Sequence, residues 1–386
     1  MRTLRYALTF AALWTALGSV AIAQPPVQHS MSYDFRVVPV VENLVNPWSM
    51  AFLPNGDMLV TERPGRLRIV RNGKLLPAPV EGVPPVFARG QGGLLDVVLH
   101  PNFASNHFVY LSYSKPVGDS QSTTAVVRGR LENDRLTDVQ QIFEAQTRGR
   151  GHYGSRLAFD RNNFLFITTG DRQVPPTGNL EAHPAQDLTN HHGKISRLHD
   201  DGKVPADNPF VGRTDAKPEI WSYGHRNMQG LAIHPVTGDL WETEHGPQGG
   251  DELNLIKRGA NYGWPVIGFG VNYGSGATIH VGTMRPGMES PVNVWVPSIG
   301  TSGLMFYTGD KFPDWKGSVF AGGMVGEQLV RLTLDGQRAE VAEILVRHQG
   351  RIRDVRQGPD GLIYLAIDNN QGGATPILRI EPVARN

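Results

Sequence analysis

One short pattern recurs six times along the chain: an apolar strand, a turn rich in Pro, Asp, Asn and Gly, then a second apolar strand. The copies are Trp48–Glu62, Leu94–Tyr113, Arg156–Gly170, Gly230–Glu244, Gly303–Ala321 and Arg353–Asp368. A third strand follows each copy, as in Leu67–Ile69 and Val126–Arg128, and a fourth usually precedes the next copy, as in Gln141–Phe143. A unit this small cannot bury both faces of its sheet alone, so the copies must pack face to face, and a ring of radial sheets satisfies all of them at once. The pattern predicts an all-β, six-bladed β-propeller of four-stranded antiparallel blades; a seven-bladed ring is the alternative. The last copy ends on Ile377–Ile380 with no fourth strand after it. Phe35–Val41 is a strand left over at the other end of the chain. It is predicted to complete the last blade, closing the ring and removing an exposed sheet edge.

The N-terminus reads as an export signal. Arg2 and Arg5 precede the mostly apolar run Tyr6–Val20, and Ala21-Ile22-Ala23 has the small-x-small form of a cleavage site. Residues 1–23 are therefore expected to be a signal peptide, residues 24–386 one propeller domain, and the location periplasmic or secreted; an uncleaved anchor is the alternative. No membrane span is expected after cleavage. The chain has no cysteine, so stability must come from a packed core without disulfides. A net charge of +1 with no long basic or acidic block argues against a nucleic-acid partner and against a polybasic membrane patch. A monomer and a homodimer are both compatible with this composition.

Strand order sorts the loops onto two faces. If the loop entering the innermost strand lies on top, the turn between the first and second strands lies at the bottom. The loop between the second and third strands, and the one entering the next blade, are then on top. The bottom turns are plain turn chemistry, such as Pro54-Asn55-Gly56 and Pro359-Asp360-Gly361. Gln91, His152, Arg226, Asn227, Arg351 and Arg353 fall in or beside top loops, as do Asp171 and Glu244-His245-Gly246-Pro247. These converge on one mouth of the central channel, where a ligand site is expected.

The residue types suggest roles. His152 stands among glycines, and Asp171 ends the second strand of the same blade. The pair makes a base if the carboxylate holds one ring nitrogen, and a structural loop contact otherwise. Arg226, Asn227 and Gln229, with Arg351 and Arg353 at alternate strand positions, suit a ligand carrying several carboxylates or phosphates, or else salt bridges between blades. Gly246-Pro247 followed by Asp251-Glu252 offers carbonyls and carboxylates of the kind that bind calcium, although such pairs also occur in ordinary loops. His191-His192 is read as a loop feature. No Walker loop or nucleophile elbow is present, and the Gly-x-Gly-x-x-Gly spacing of Gly149–Gly154 stands in no strand–helix unit of the kind that binds dinucleotides.

With Gly90–Asp96, Gly151–Gly154, Thr169–Asp171, Gly224–Gly230, Glu244–Asn254, Asn261–Pro265 and Arg351–Asp354, the chain resembles the soluble pyrroloquinoline quinone (PQQ)-dependent aldose, glucose and sorbosone dehydrogenases. The resemblance implies oxidation of an aldose at its anomeric carbon, with electrons passed to a soluble or quinone acceptor. It implies His152 as general base, Asp171 orienting it, and Arg226 stabilising charge on the quinone oxygen. Gln91, Asn227, Gln229, Arg351 and Arg353 would hold the three-carboxylate cofactor. The carbonyls of Gly246 and Pro247 would bind the calcium that polarises the quinone, with Glu252 and the Tyr262 carbonyl matching a second calcium. Two positions depart from the family pattern. Gly151 stands where glucose-oxidising relatives carry a carboxylate, and Gly322–Glu327 lacks a cofactor-binding lysine. A calcium-dependent lactonase and a non-catalytic binding propeller are the competing readings.

Overall fold

The computed structural model describes residues 24–385. The segment expected to be a signal peptide, residues 1–23, lies outside the described residues. Six antiparallel sheets form the ring, as the repeat requires. Their innermost strands are Pro47–Phe52, Leu94–Leu99, Leu157–Phe159, Met228–Ile233, Thr301–Phe306 and Arg351–Gln357, and each touches the next around the ring, the last against the first. Among the described residues the only α-helix is the single turn Phe103–Asn106, and no helix is long and apolar enough to cross a membrane.

The ring closes between the two ends of the chain. Asp34–Val45 pairs antiparallel with Ala374–Val383, with Val37 opposite Ile380, and Val27–His29 adds a fifth strand outside it. Strand alternation explains how the blades stack. Each sheet sends apolar side chains to both faces, and one buried cluster fills each of the six interfaces between neighbouring blades. Between the first and second blades, for example, Leu59, Leu67 and Ile69 meet Leu94, Val109 and Leu111. Each such fully buried side chain contributes roughly 1.5–3 kcal/mol, which is how a chain without disulfides is held together.

The channel is floored by charge. Arg156 donates from Nε to the Gln229 carbonyl (2.6 Å), from Nη2 to the Arg353 carbonyl (3.0 Å) and from Nη1 to Asp354 Oδ1 (2.9 Å), with Asp96 Oδ1 at 3.5 Å. Arg356 returns to the same two carboxylates at 2.9 and 3.1 Å. Two aspartates and two arginines thus neutralise one another in a buried knot that ties the second, third, fourth and sixth blades.

Two features aim residues at the upper mouth. In five of the six blades the pairing of the innermost strand shifts register near its entry, a bulge that re-aims the side chains there. The second feature departs from the two-face rule. The long connection after Asp251–Ile256 leaves at the lower end, where Ile256 pairs with Leu240. It then climbs beside the outer strand of the third blade, Ile220–Tyr223, bridging it in parallel at Tyr223 and Asn261. Asn261 and Gln186 exchange amide hydrogen bonds, and Gln186 also reaches the Trp264 carbonyl at 2.7 Å. A loop that starts at the lower end therefore arrives at the mouth, where Trp264 lines the cavity.

Candidate active site

His152 and Asp171 meet. The histidine has a left-handed backbone (φ 44°), a conformation that costs energy for a residue with a side chain. It is held from two sides. Its N–H donates to Gln91 Oε1 at 2.7 Å, and its carbonyl packs so tightly on Gly170 that a Cβ there would lie 2.2 Å from the oxygen. His152 Nδ1 lies 2.5 Å from Asp171 Oδ1. A carboxylate only accepts, so Nδ1 carries the proton and Nε2 keeps its lone pair, facing the cavity. Asp171 Oδ1 also accepts the Gln173 N–H (2.9 Å), and Oδ2 accepts the indole N–H of Trp264 (2.8 Å).

Burial lowers the pKa of His152, partly opposed by the charge of Asp171. Burial alone would raise Asp171, but the attraction of His152 and Arg226 and the hydrogen bonds outweigh it and hold the carboxyl below its usual range. A neutral imidazole against a carboxylate is a base ready at neutral pH.

Two adjoining cavities share Gln91 and His245 as wall. The first, about 330 Å³, is lined by Arg351, Arg353, Asn227, Gln229 and Arg63 over Trp48. Arg353 is buried, donating to Gln229 Oε1 (3.0 Å) and Asp368 Oδ2 (3.1 Å), and its pKa is pushed down to about 10, chiefly by that burial. Asn227 Oδ1 accepts the Gly154 N–H (3.2 Å) and faces Gln229 Nε2 (3.2 Å). The second cavity, about 380 Å³, holds His152, Asp171, Gln173, Arg226 and Trp264. Arg226 stacks over Trp264, 5.2 Å from the ring centre, and its Nη1 donates to the Gly246 carbonyl at 2.7 Å. Pro247 lines the same cavity.

Beside Arg226 lies a small pocket of about 20 Å³, where Glu244, Gly246, Pro247, Glu252 and Tyr262 share the lining with Trp264, Ile267 and Phe269. The half-buried Glu252 carboxyl is pushed up to about 8 by desolvation and then by Glu244, and burial carries Glu242 well above its ordinary value. His225, Glu242 and Glu244 place ligand atoms within 4.8 Å of one another.

The glucose/sorbosone dehydrogenase family model matches residues 44–379. The chain belongs to that family. Among dehydrogenase relatives, aldose sugar dehydrogenase YliI of Escherichia coli is 44% identical over 88% of this chain and 91% of its own length. The apo-form crystal structure of the soluble aldose sugar dehydrogenase from Escherichia coli superposes with a TM-score of 0.84 at 42% identity, covering 90% of this chain and all of that one. The PQQ-bound aldose sugar dehydrogenase of Streptomyces coelicolor gives 0.73 at 30% identity, covering 92% and 99%.

The residues of this dehydrogenase-family chain fit a polycarboxylate quinone. Nε of Arg226, Arg351 and Arg353 each lacks a hydrogen-bond partner among the described residues, so the walls of the two cavities carry three guanidiniums with donor capacity not used by the protein. They also fit a hard cation: Glu242 Oε2 is buried without a partner, and three carboxylates crowd around the Asn254 amide. Three site residues escaped sequence reasoning. Trp264 and His245 lay inside the segments that carried the resemblance but had no role assigned; the pKa of His245 is lowered to about 4 by burial. Arg63 brings a further cation to the cavity whose Gly322–Glu327 wall has no lysine, and its only signal was its place at a top loop after Glu62.

Proposed function

We propose that the protein is a PQQ- and calcium-dependent aldose dehydrogenase that oxidises the anomeric carbon of aldoses to lactones and passes the electrons to a soluble or quinone acceptor. One observation carries this reading: a carboxylate-held histidine lines a cavity that adjoins three guanidinium groups, Arg226, Arg351 and Arg353, each with an Nε–H that has no protein partner among the described residues. PQQ, when bound, supplies the acceptor for the anomeric hydride, and calcium the Lewis acid that polarises it.

The chain's own part is proton handling and positioning. His152 Nε2 takes the proton of the anomeric hydroxyl as the hydride leaves the same carbon, so the sugar loses two electrons and two hydrogens together. Asp171 keeps Nδ1 protonated and steadies the imidazolium that forms. Arg351, Arg353, Asn227, Gln229 and Gln91 would hold the carboxylate-bearing cofactor, with Arg226 beside its reacting oxygen. The Gly246 and Pro247 carbonyls would take the polarising calcium, the Gly246 oxygen keeping a second lone pair beside the one that accepts Arg226 Nη1. Glu252 and the Tyr262 carbonyl would take the second. We also propose that residues 24–386 form one exported domain after removal of residues 1–23.

Reconstitution of purified protein with PQQ and calcium, followed by dye reduction with a panel of aldoses, tests the reading. Turnover that needs both additions is expected. Absence of PQQ binding together with absence of turnover would sink it.

A further inference from the structure

Gly151 precedes the base, and the space above it is filled. A Cβ built on Gly151 would lie 2.2 Å from Gln173 Oε1 and 2.9 Å from its Nε2, so the Gln173 carboxamide rests directly on the glycine. The backbone goes to some expense to place it there. Arg172 and Gln173 are consecutive left-handed residues (φ 61° and 62°), a conformation rare for side-chain-bearing residues and rarer in succession. Three contacts hold the pair: Gln173 N–H to Asp171 Oδ1 at 2.9 Å, Arg172 stacked 3.8 Å from the Tyr153 ring centre, and Arg172 Nη2 to the Ser122 carbonyl at 3.2 Å. The carboxylate that orients His152 thus also orients the backbone of Gln173. The Gln173 side chain is exposed to the cavity that His152 Nε2 faces, and among the described residues its amide bonds to no protein group.

We propose that the Gln173 carboxamide is the specificity-determining group that reads the sugar hydroxyls next to the anomeric carbon, occupying the space a side chain at position 151 would use. This rests on the aldose reading above. The chemistry suits the task. A carboxamide offers both donors and an acceptor, as a sugar hydroxyl does, so one group can bind a hydroxyl in either sense. Being neutral, it leaves the lowered pKa of His152 untouched, whereas a second carboxylate beside the imidazole would raise it.

The test is a double-mutant cycle on the PQQ- and calcium-loaded protein, using aldoses that differ at the carbon next to the anomeric one. Gln173→Ala removes the reader. Gly151→Ala leaves it in the chain but forces its amide aside, because the new Cβ has no room. Each single variant is expected to raise KM about 3- to 10-fold, unequally between epimers and more than it changes kcat. In the Gln173→Ala background, Gly151→Ala should add little. PQQ titration by absorbance serves as the folding and cofactor control, and calorimetric binding of a 1,5-anhydro sugar, which cannot be oxidised, reads the contact without turnover. Unchanged epimer ratios and unchanged anhydro-sugar affinity in both single variants, in a protein that oxidises aldoses, overturn the assignment of Gln173. A loaded wild type that neither oxidises nor binds any aldose overturns the aldose reading, and this inference with it.

Discussion

Asp171→Asn is the substitution whose consequences the site defines most tightly. Oδ1 accepts two donors, His152 Nδ1–H and Gln173 N–H, and Oδ2 accepts the Trp264 indole N–H. An asparagine has one oxygen and one NH2 to offer. With the oxygen toward His152 the base keeps its tautomer, but the amide NH2 faces the indole N–H, donor against donor. Turned over, the NH2 faces Gln173 N–H and forces His152 into the Nε2–H tautomer, which abolishes the base. The first arrangement spares both Oδ1 bonds and should prevail. Its costs are then separable. Losing a charge-assisted hydrogen bond worth about 1.5–3 kcal/mol lowers kcat/KM roughly 10- to 150-fold. An unsatisfied buried indole N–H removes about 1–3 kcal/mol of stability. The acid limb of the pH profile moves further down, because Asp171 is what raises the histidine's pKa against burial. Trp264→Phe in the same chain removes the opposed donor, so the double variant should regain stability over Asp171→Asn while keeping its lowered rate. Steady-state kinetics across pH, with urea unfolding of the single and double variants, separates these effects. A kcat/KM within twofold of wild type and an unmoved acid limb would refute the role of Asp171. A stability unaffected by Trp264→Phe would refute the donor conflict.

Three further outcomes follow from other parts of the site. Arg351→Ala and Arg353→Ala should each weaken PQQ binding about 10- to 150-fold by absorbance titration, from the loss of one charged hydrogen-bond donor set. Only Arg353→Ala should also lower thermal stability, since it leaves buried Asp368 without its guanidinium. Calcium should change the pH dependence of stability. The Glu252 pKa is raised in the folded chain, so its stabilising share is full below the ordinary glutamate range and is lost as pH rises through about 8. Melting of the chelated protein should therefore fall between about pH 5 and 8, with calcium flattening the slope, and a slope indifferent to calcium would count against a cation at Glu252. Arg156→Met should cost about 3–5 kcal/mol in urea unfolding, because two buried aspartates are left to Arg356 alone; a change below about 1 kcal/mol would show the knot to be dispensable.

What the sequence made legible, and what it hid, divides along a physical line. Blade count, ring closure through Asp34–Val45 and the approach of His152 to Asp171 all follow from strand periodicity and alternation, which are local rules that the chain obeys throughout. Arg63 follows the strand that ends at Glu62, and nothing about an arginine after a glutamate marked it as part of a cavity. Trp264 was hidden for a different reason. Its loop starts at the lower end of the fourth blade, and strand order alone gives no reason for it to reach the upper mouth. Only the parallel bridge at Tyr223 and Asn261 and the amide exchange with Gln186 carry it upward. Gln173 shows a third kind of limit. Read as sequence, Gly151 is a missing side chain, and its absence implies a lost sugar contact. In three dimensions the glycine is what admits the carboxamide of a residue 22 positions later, held by two left-handed backbone steps that no propensity would favour. A gap at one position and strain at another are the same feature seen from two places. Substituting either should therefore disturb the same hydroxyl contact, and that equivalence is a stronger test of the site than either residue alone.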